Sequence, residues 1–293
     1  MKIALVGISF PDECTYYIQE MINTIQKEGH DIFISEPFYK FLIEKKTLSN
    51  DFNCIVFTKN DNIVDIDFYF SIGGDGTFLE TITYVGNTEV PILGINTGRL
   101  GFLAIIDFDK IKNALTCLMK GNYSIDSRSL LEITMNNNVF ENKNFALNEI
   151  SISKRDTSSM ITVHTKIDGE FLNVYWADGL IISTPTGSTG YSLSCGGPIM
   201  MPRTENFVIA PINPHNLSAR PLIISDTSSL ELYVETRSKN YLVTLDSRSE
   251  AFEKSIVFSI KKANFQAKLV NIHNNTYIKT LKKKLNWGFD LRN

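Results

Sequence analysis

The chain predicts an α/β N-terminal domain built on an open parallel sheet, then an all-β domain of sandwich type, then a C-terminal helical segment packing back. Three observations carry this. Apolar runs of strand length alternate with helix-period segments up to about residue 123. From there to about 270 the segments are short, alternating, rich in β-branched and aromatic residues, and separated by turn residues. The last stretch, "YIKTLKKKLNWGFD", returns to helical spacing. At 293 residues the chain exceeds what one hydrophobic core usually serves. The expected divisions are 1–123, 124–270 and 271–293.

Element by element, "KIALVGIS" is a continuous apolar run suited to a buried parallel strand, and Pro11 to Glu28 carries Tyr17, Ile18, Met21, Ile22 and Ile25 at helical spacing before Gly29. "DIFISEP" reads as a strand, "FYKFLIEKK" as a helix, and "FNCIVFT" and "DIDFYFSI" as strands. "FLETITYVGN" reads as a helix, "VPILGIN" as a strand, and "FDKIKNALTCLMKGN" as a helix ending at Gly121. Strand and helix in alternation give a Rossmann-like sheet with helices on its faces. Beyond Tyr123, "LLEITMNNNVF", "FALNEISISK", "MITVHTKIDGEFLNVYWA", "LIISTPT", "FVIAPI", "RPLIIS", "SLELYVET", "YLVTLD" and "SIVFSIKKA" read as strands. Asp168-Gly169 suits a two-residue hairpin. The final helix is expected to run to Asn286.

Composition narrows the function. With 43% hydrophobic and 21% charged residues the chain reads as an ordinary globular protein. A formal charge of -3 provides no broad basic field for a nucleic acid backbone. The basic cluster "IKTLKKKL" reads as a solvated helix face. No apolar run reaches the roughly 18 residues of a membrane span. "MKIALVGISFPDE" reads as a first strand rather than a leader, so a cytoplasmic protein without membrane or nucleic acid partners is expected. Cys14, Cys54, Cys117 and Cys195, and His30, His164, His215 and His273, are scattered. That spacing offers neither a disulfide framework nor a metal stably bound by protein ligands.

The chemistry concentrates in two stretches. "IGGDGT" places Gly73, Gly74 and Gly76 around Asp75 between a predicted strand and a predicted helix, where open α/β sheets bind ligands. Bare amides and a helix N-terminus there attract phosphate. The turn matches neither a Walker loop nor a dinucleotide fingerprint. An acid among phosphate-facing amides repels the anion unless it binds a bridging metal or accepts a proton from an attacking hydroxyl, and both roles belong to phosphoryl transfer. The alternative is a tight turn with Asp75 as an N-cap. The second stretch, "DGLIISTPTGSTGYSLSCGGPI" at 178–199, interleaves hydroxyl residues with glycines. That density can satisfy the many donors and acceptors of a dinucleotide.

This run closely resembles the NAD kinase pattern D-G-x-I-x-S-T-P-T-G-S-T-A-Y-S-x-S-A-G-G-P, and "GGDGT" resembles the signature of the wider superfamily that also holds lipid kinases and phosphofructokinases. "ALNEISI", "NTGRLGF" at 96–102 and "PINPHNLSARP" at 211–221 resemble further family elements, in unchanged order from 71 to about 250. The resemblance implies ATP-dependent phosphorylation of NAD at the 2′-hydroxyl of its adenosine ribose, with a divalent cation, Mg²⁺, and a homodimer or homotetramer. It implies Asp75 as proton acceptor with Gly76 beside it, and Asn148 and Glu149 as polar contacts to NAD. Asp178 and Thr189, Gly190, Tyr191, Ser192, Leu193 and Ser194 would line the NAD site. Phe102 would meet adenine, while Gly73, Gly74 and Arg99 would meet phosphate.

The chain departs from the pattern at Gly190 and Cys195, where the family has alanine, and at Arg248 in "LDSRSE", where glutamine is usual. Arg248, Trp176 and His215 are left without roles. Two other readings stay open: a lipid or small-polyol kinase using the same turn, and a nucleotide-binding sensor without chemistry.

Overall fold

A computed structural model of the protein describes residues 1–61, 63–99, 101–135, 139–155, 159–253, 256–272 and 276–287. Part of the predicted strand "LLEITMNNNVF" (Asn136 to Asn138), Leu100 of the "NTGRLGF" element, His273 and the chain end from 288 lie outside the described residues. The chain divides into two compact units, Met1–Ser127 with Ala267–Asn293, and Arg128–Gln266.

In the first unit the continuous apolar runs become buried strands, because a parallel strand covered on both faces has no polar side to show. β1 (Lys2–Gly7) lies between β2 (Asp31–Ser35) and β4 (Phe68–Gly73), with β3 (Ile55–Phe57) outside β2 and β5 (Ile92–Asn96) outside β4. β6 (Ile106–Asp107) pairs with β5, and every one of these pairings is parallel. Between the strands run α1 (Thr15–Lys27), α2 (Glu36–Glu44), α3 (Asp75–Val85) and α4 (Ile111–Met119). The predicted stripe Ile18, Met21, Ile22, Ile25 of α1 is buried in one core with Ile3 and Leu5 of β1 and Leu115 and Leu118 of α4. α2 starts earlier than the apolar periodicity indicates because Pro37 sits in its first turn, where a missing N–H costs nothing. Residues 267–293 return to this unit with α6 (Tyr277–Leu285), whose C-cap is the left-handed Asn286.

The strand order β3-β2-β1-β4-β5 matters for function. The chain passes outward in one direction from β1 and in the other from β4, so the carboxyl ends of these two neighbours form the switch point at which open α/β sheets hold ligands. The glycine turn follows β4 directly.

The second unit is made of strands. β11 (Glu170–Ala177), β10 (Ile161–Ile167), β15 (Leu230–Thr236) and β18 (Val257–Asn271) are consecutive antiparallel neighbours, with β7 (Ser124–Thr134) pairing β18 and, antiparallel, β8 (Phe145–Ala146); the first residues of β7 and the last of β18 belong to the first unit. A second antiparallel sheet runs β14 (Leu222–Ser225), β13 (Asn206–Ile212), β12 (Gly179–Ser183), β9 (Glu149–Lys154), β16 (Tyr241–Leu245), β17 (Arg248–Phe252). Both sheets contribute to one core that joins Ile161, Val163 and Val234 with Ile150, Ile152, Ile182 and Val243. Asp168 and Gly169 take φ of 52° and 84°, the two positive values that the tight β10–β11 hairpin needs. A short helix, α5 (Tyr191–Ser194), lies beyond β12.

Candidate active site

β4 ends at Gly73, Gly74 takes the N-cap position, and Asp75 is the first residue of α3. The helix thus begins three residues before its apolar periodicity does, and Asp75 is no N-cap. Its carboxylate reaches across to residues 102–104. Oδ2 accepts the Phe102 N–H at 2.8 Å, and Oδ1 accepts those of Leu103 at 3.0 Å and Ala104 at 3.1 Å. A carboxylate offers about four acceptor positions, so one side stays free.

The surrounding glycines divide by what demands them. A Cβ at Gly101 would strike the Asp75 carboxyl group, and one at Gly73 would strike the Thr77 side chain. At Gly74 and Gly76 a Cβ would meet nothing within 4 Å, so no packing in the fold asks for glycine there. Arg99 is exposed, in a turn tied by the buried Asn96, whose amide bonds both main-chain groups of Gly98 at 3.1 Å. The half-buried Phe102 ring lies 6.2 Å from the Tyr277 ring, with the Lys284 ammonium 5.7 Å from its centroid.

In the second unit, the residues after β12 are tied to the segment before β9. Thr184 donates its hydroxyl to the Leu147 carbonyl at 2.5 Å and its N–H to the Asn148 carbonyl at 2.9 Å, while accepting the Gly187 N–H at 3.1 Å. Gly187 is required, since a Cβ would run into the Asn148 main chain. The predicted strand "FALNEISISK" breaks around Leu147 and Asn148 for a reason the sequence does not display. Asp246 takes these amides, its Oδ2 accepting from Leu147 at 2.9 Å and its Oδ1 from Asn148 at 2.8 Å and Glu149 at 3.2 Å.

Asn148, Glu149 and Gly190 come together: a Cβ on Gly190 would stand 3.0 Å from Glu149 Oε2 and 3.8 Å from Asn148 Nδ2. Glu149 Oε2 is buried with no hydrogen-bond partner, as is the Ser192 hydroxyl. Burial first, and the Asp246 charge second, push the Glu149 carboxyl up to about 8, against the opposing Tyr191 main-chain N–H. At neutral pH Glu149 is therefore a protonated acid with a hydrogen to donate. Neither this state nor the part of Asp246 in it could be read from residue types.

The other predicted positions differ in kind. Asp178 is occupied by Lys154 at 2.7 Å and Asn213 at 3.2 Å, and the Lys154 contact holds its carboxyl below the ordinary range. Burial, then Cys195, then the charges of Asp178 and Glu149 raise the Tyr191 hydroxyl. Thr189 turns its hydroxyl to the Thr186 carbonyl at 3.3 Å. Leu193 is half-buried, and Ser194 is exposed. Arg248 does not point to water. It donates to the carbonyls of Lys143 and Phe145, with its guanidinium over the Phe145 ring. Trp176 is 51% exposed, its ring 5.7 Å from that of His215. Among the described residues no three His, Cys, Asp or Glu side chains gather as metal ligands.

Residues 17–123 match the family model described as the ATP-NAD kinase N-terminal domain, and residues 147–272 match the ATP-NAD kinase C-terminal domain. The proteins named NAD kinase from Cytophaga hutchinsonii and Flavobacterium psychrophilum are 47% and 45% identical, with both chains covered in full. The chain belongs to the NAD kinase family. It is accordingly an enzyme with NAD kinase activity. Among solved structures it resembles an NAD kinase from Archaeoglobus fulgidus in complex with ATP, 25% identical with a TM-score of 0.73 over 98% of this chain and 99% of that one. It shares the fold of yeast NADH kinase complexed with NADH, 24% identical with a TM-score of 0.86 over 100% of this chain and 89% of that one. The N-terminal family match takes in the glycine turn and residues 96–102; the C-terminal match takes in Asn148, Glu149, the 178–199 run and Asp246.

Proposed function

We propose that this NAD kinase transfers the γ-phosphoryl group of ATP to the 2′-hydroxyl of the adenosine ribose of NAD, with Asp75 as the proton acceptor. The hydroxyl oxygen forms a bond to the γ-phosphorus as the bond to the β-phosphate bridging oxygen breaks, and the hydroxyl proton passes to Asp75. NADP and ADP leave. A loose transition state needs little early deprotonation, so a correctly aimed carboxylate suffices.

One observation carries the reading: three amides fix the Asp75 carboxylate beside two glycines, Gly74 and Gly76, that leave open space rather than fill a packing need. The first amides of α3 have no intrahelical acceptor, and with Gly73 behind them they form the phosphate-facing surface, Arg99 lying in the neighbouring turn. In this reading the divalent cation arrives on the phosphates of ATP. Mg²⁺ so delivered would neutralise developing charge on the phosphates.

On the NAD side, the unpartnered Glu149 Oε2 and the adjacent Asn148 amide suit ribose hydroxyls, and protonated Glu149 donates where a carboxylate would only accept. Ser192, also unpartnered, offers a further hydroxyl. Thr189, Gly190, Tyr191, Leu193, Ser194 and Asp178 complete this surface, and Phe102 offers a face for adenine. A cytoplasmic homodimer or homotetramer accords with this reading, and sedimentation would check the oligomeric state. The deciding assay couples NADP formation to a dehydrogenase with NAD, ATP and Mg²⁺. Folded protein that makes no NADP refutes the reading, and transfer to diacylglycerol or sphingosine in preference to NAD replaces it.

A further inference from the structure

The lysine-rich helix that the sequence presents as a solvated face forms one wall of a cavity of about 290 Å³ within the first unit. α4 and the segment leading into β6 supply the opposite walls, and Ile106, Ala114 and Ile272 give it an apolar floor. Three lysines border it, and they are not equivalent. Lys110 is paired with Asp107 at 2.9 Å, which cancels both charges. Lys279 and Lys283 stand one helical turn apart on α6, and among the described residues neither has a carboxylate within ion-pair distance. Like charges at that spacing destabilise a helix, so an anion between them relieves a repulsion that the free protein carries. The Thr280 hydroxyl and the Asn113 amide border the same space, with donors for further oxygens.

Volume limits the occupant. The cavity sits at the lower edge of small-molecule sites, which run from about 300 Å³ upward, so a dinucleotide does not fit inside. A doubly charged phosphate on a short apolar body does: the phosphate takes both ammonium groups, and the body takes the floor. None of Gly73, Gly74, Asp75 or Gly76 lines the cavity.

We propose that the cavity between α4 and α6 is a separate binding site for a small phosphate monoester, clasped by Lys279 and Lys283 with its organic body on Ile106, Ala114 and Ile272. This goes beyond the kinase reaction and does not depend on how Asp75 acts.

The test is calorimetric titration of the full chain, at constant ionic strength, with phenyl phosphate, inorganic phosphate and sulfate as probes. Phenyl phosphate is expected to bind at one site, more tightly than inorganic phosphate or sulfate, which lack the apolar body, and excess ATP should not displace it. The double variant Lys279→Gln/Lys283→Gln should lose on the order of tenfold or more in affinity, since it removes two charged donors, while melting no lower than the parent and turning over NAD at the parent rate. The double variant Lys279→Arg/Lys283→Arg should retain binding. No binding of phenyl phosphate, equal binding by the glutamine variant, or an equal response to sulfate would overturn the proposal. Displacement by ATP would assign the probe to the phosphate-donor site and overturn it as well.

Discussion

Replacing Asp75 by Asn tests two separable claims. The variant keeps the shape of the side chain but exchanges one acceptor oxygen for an NH₂ group. Its remaining oxygen can serve the two amides of Leu103 and Ala104, which leaves the NH₂ against the Phe102 N–H, donor to donor. A hydrogen bond to a charged group contributes about 1.5–3 kcal/mol and a neutral one about 0.5–1.5 kcal/mol, so one bond is lost and two are weakened. Because Asp75 is part-exposed and water can serve the freed Phe102 N–H, the net cost is about 2–4 kcal/mol rather than the full sum. At roughly 2–4 °C per kcal/mol for a protein of this size, melting should fall by about 5–15 °C. Amide hydrogen exchange at 102–104 should accelerate. Turnover, measured well below the melting range, should fall by a factor on the order of 10² to 10⁴, the usual effect of removing a general base. Unchanged melting and exchange would show that the carboxylate does not hold those amides, and unchanged turnover would remove Asp75 from the proton transfer. The two outcomes are independent, so either half of the argument can fail alone.

Glu149→Gln should flatten the pH dependence of stability: with the folded carboxyl near 8 and the model value at 4.5, the folded state holds the proton more tightly, so parental stability declines as pH rises from about 4.5 to about 8. Denaturant midpoints of parent and variant from pH 5 to 9 check it, and parallel curves would contradict it. Asp246→Asn keeps the left-handed backbone that Asn tolerates, removes the second cause of the raised Glu149 carboxyl, and should move that titration toward lower pH, as seen by carboxyl NMR. Gly76→Ala should raise stability by up to about 1 kcal/mol, since alanine is the better helix former and the site is open, while raising the KM for ATP. A variant stabilised with unchanged KM would show that the open space serves no ligand. Arg248→Gln should cost about 1–3 kcal/mol, because a carbonyl of Lys143 or Phe145 loses its charged donor, with NAD affinity little changed; loss of affinity without loss of stability would indicate a phosphate contact instead.

Much of the fold was legible because its signals are local. The alternation of buried strand and amphipathic helix in residues 2–119 is written in apolar period, and the β10–β11 turn in the pair Asp168-Gly169. The succession of strand, glycine turn and helix was legible for the same reason, the three being adjacent in sequence. What escaped was long-range. Asp75 meets amides 27 to 29 residues away, and Asp246 meets amides 97 to 99 residues away. Nothing in the composition around either acid announces a partner so distant. Arg248 was undecidable on the same ground, as its acceptors are main-chain carbonyls more than 100 residues away, and a carbonyl has no residue type to recognise. The signal that could have found Asp246 is its position in the "LDSRSE" tail of the family pattern, but that suggests a role without naming the groups it holds.

The two acids are held by the same device, which the proposed reaction would use for structure in one place and chemistry in the other. In each unit an aspartate receives three consecutive main-chain N–H groups in the same order, the first on Oδ2 and the next two on Oδ1. Successive amides converging on one anion form a nest, which could equally have held a phosphate. Because the carboxylates fill both nests, neither set of amides is available to a substrate. In the proposed reaction phosphate is then left to the unspent amides at the start of α3, beside the open Gly74 and Gly76. Access separates the two sites. Asp246 is enclosed, so its charge acts only on neighbours, raising Glu149 and ordering Asn148. Asp75 is part-exposed with acceptor capacity unspent, so the same alignment leaves its charge within reach of solvent, as the proposed proton transfer requires.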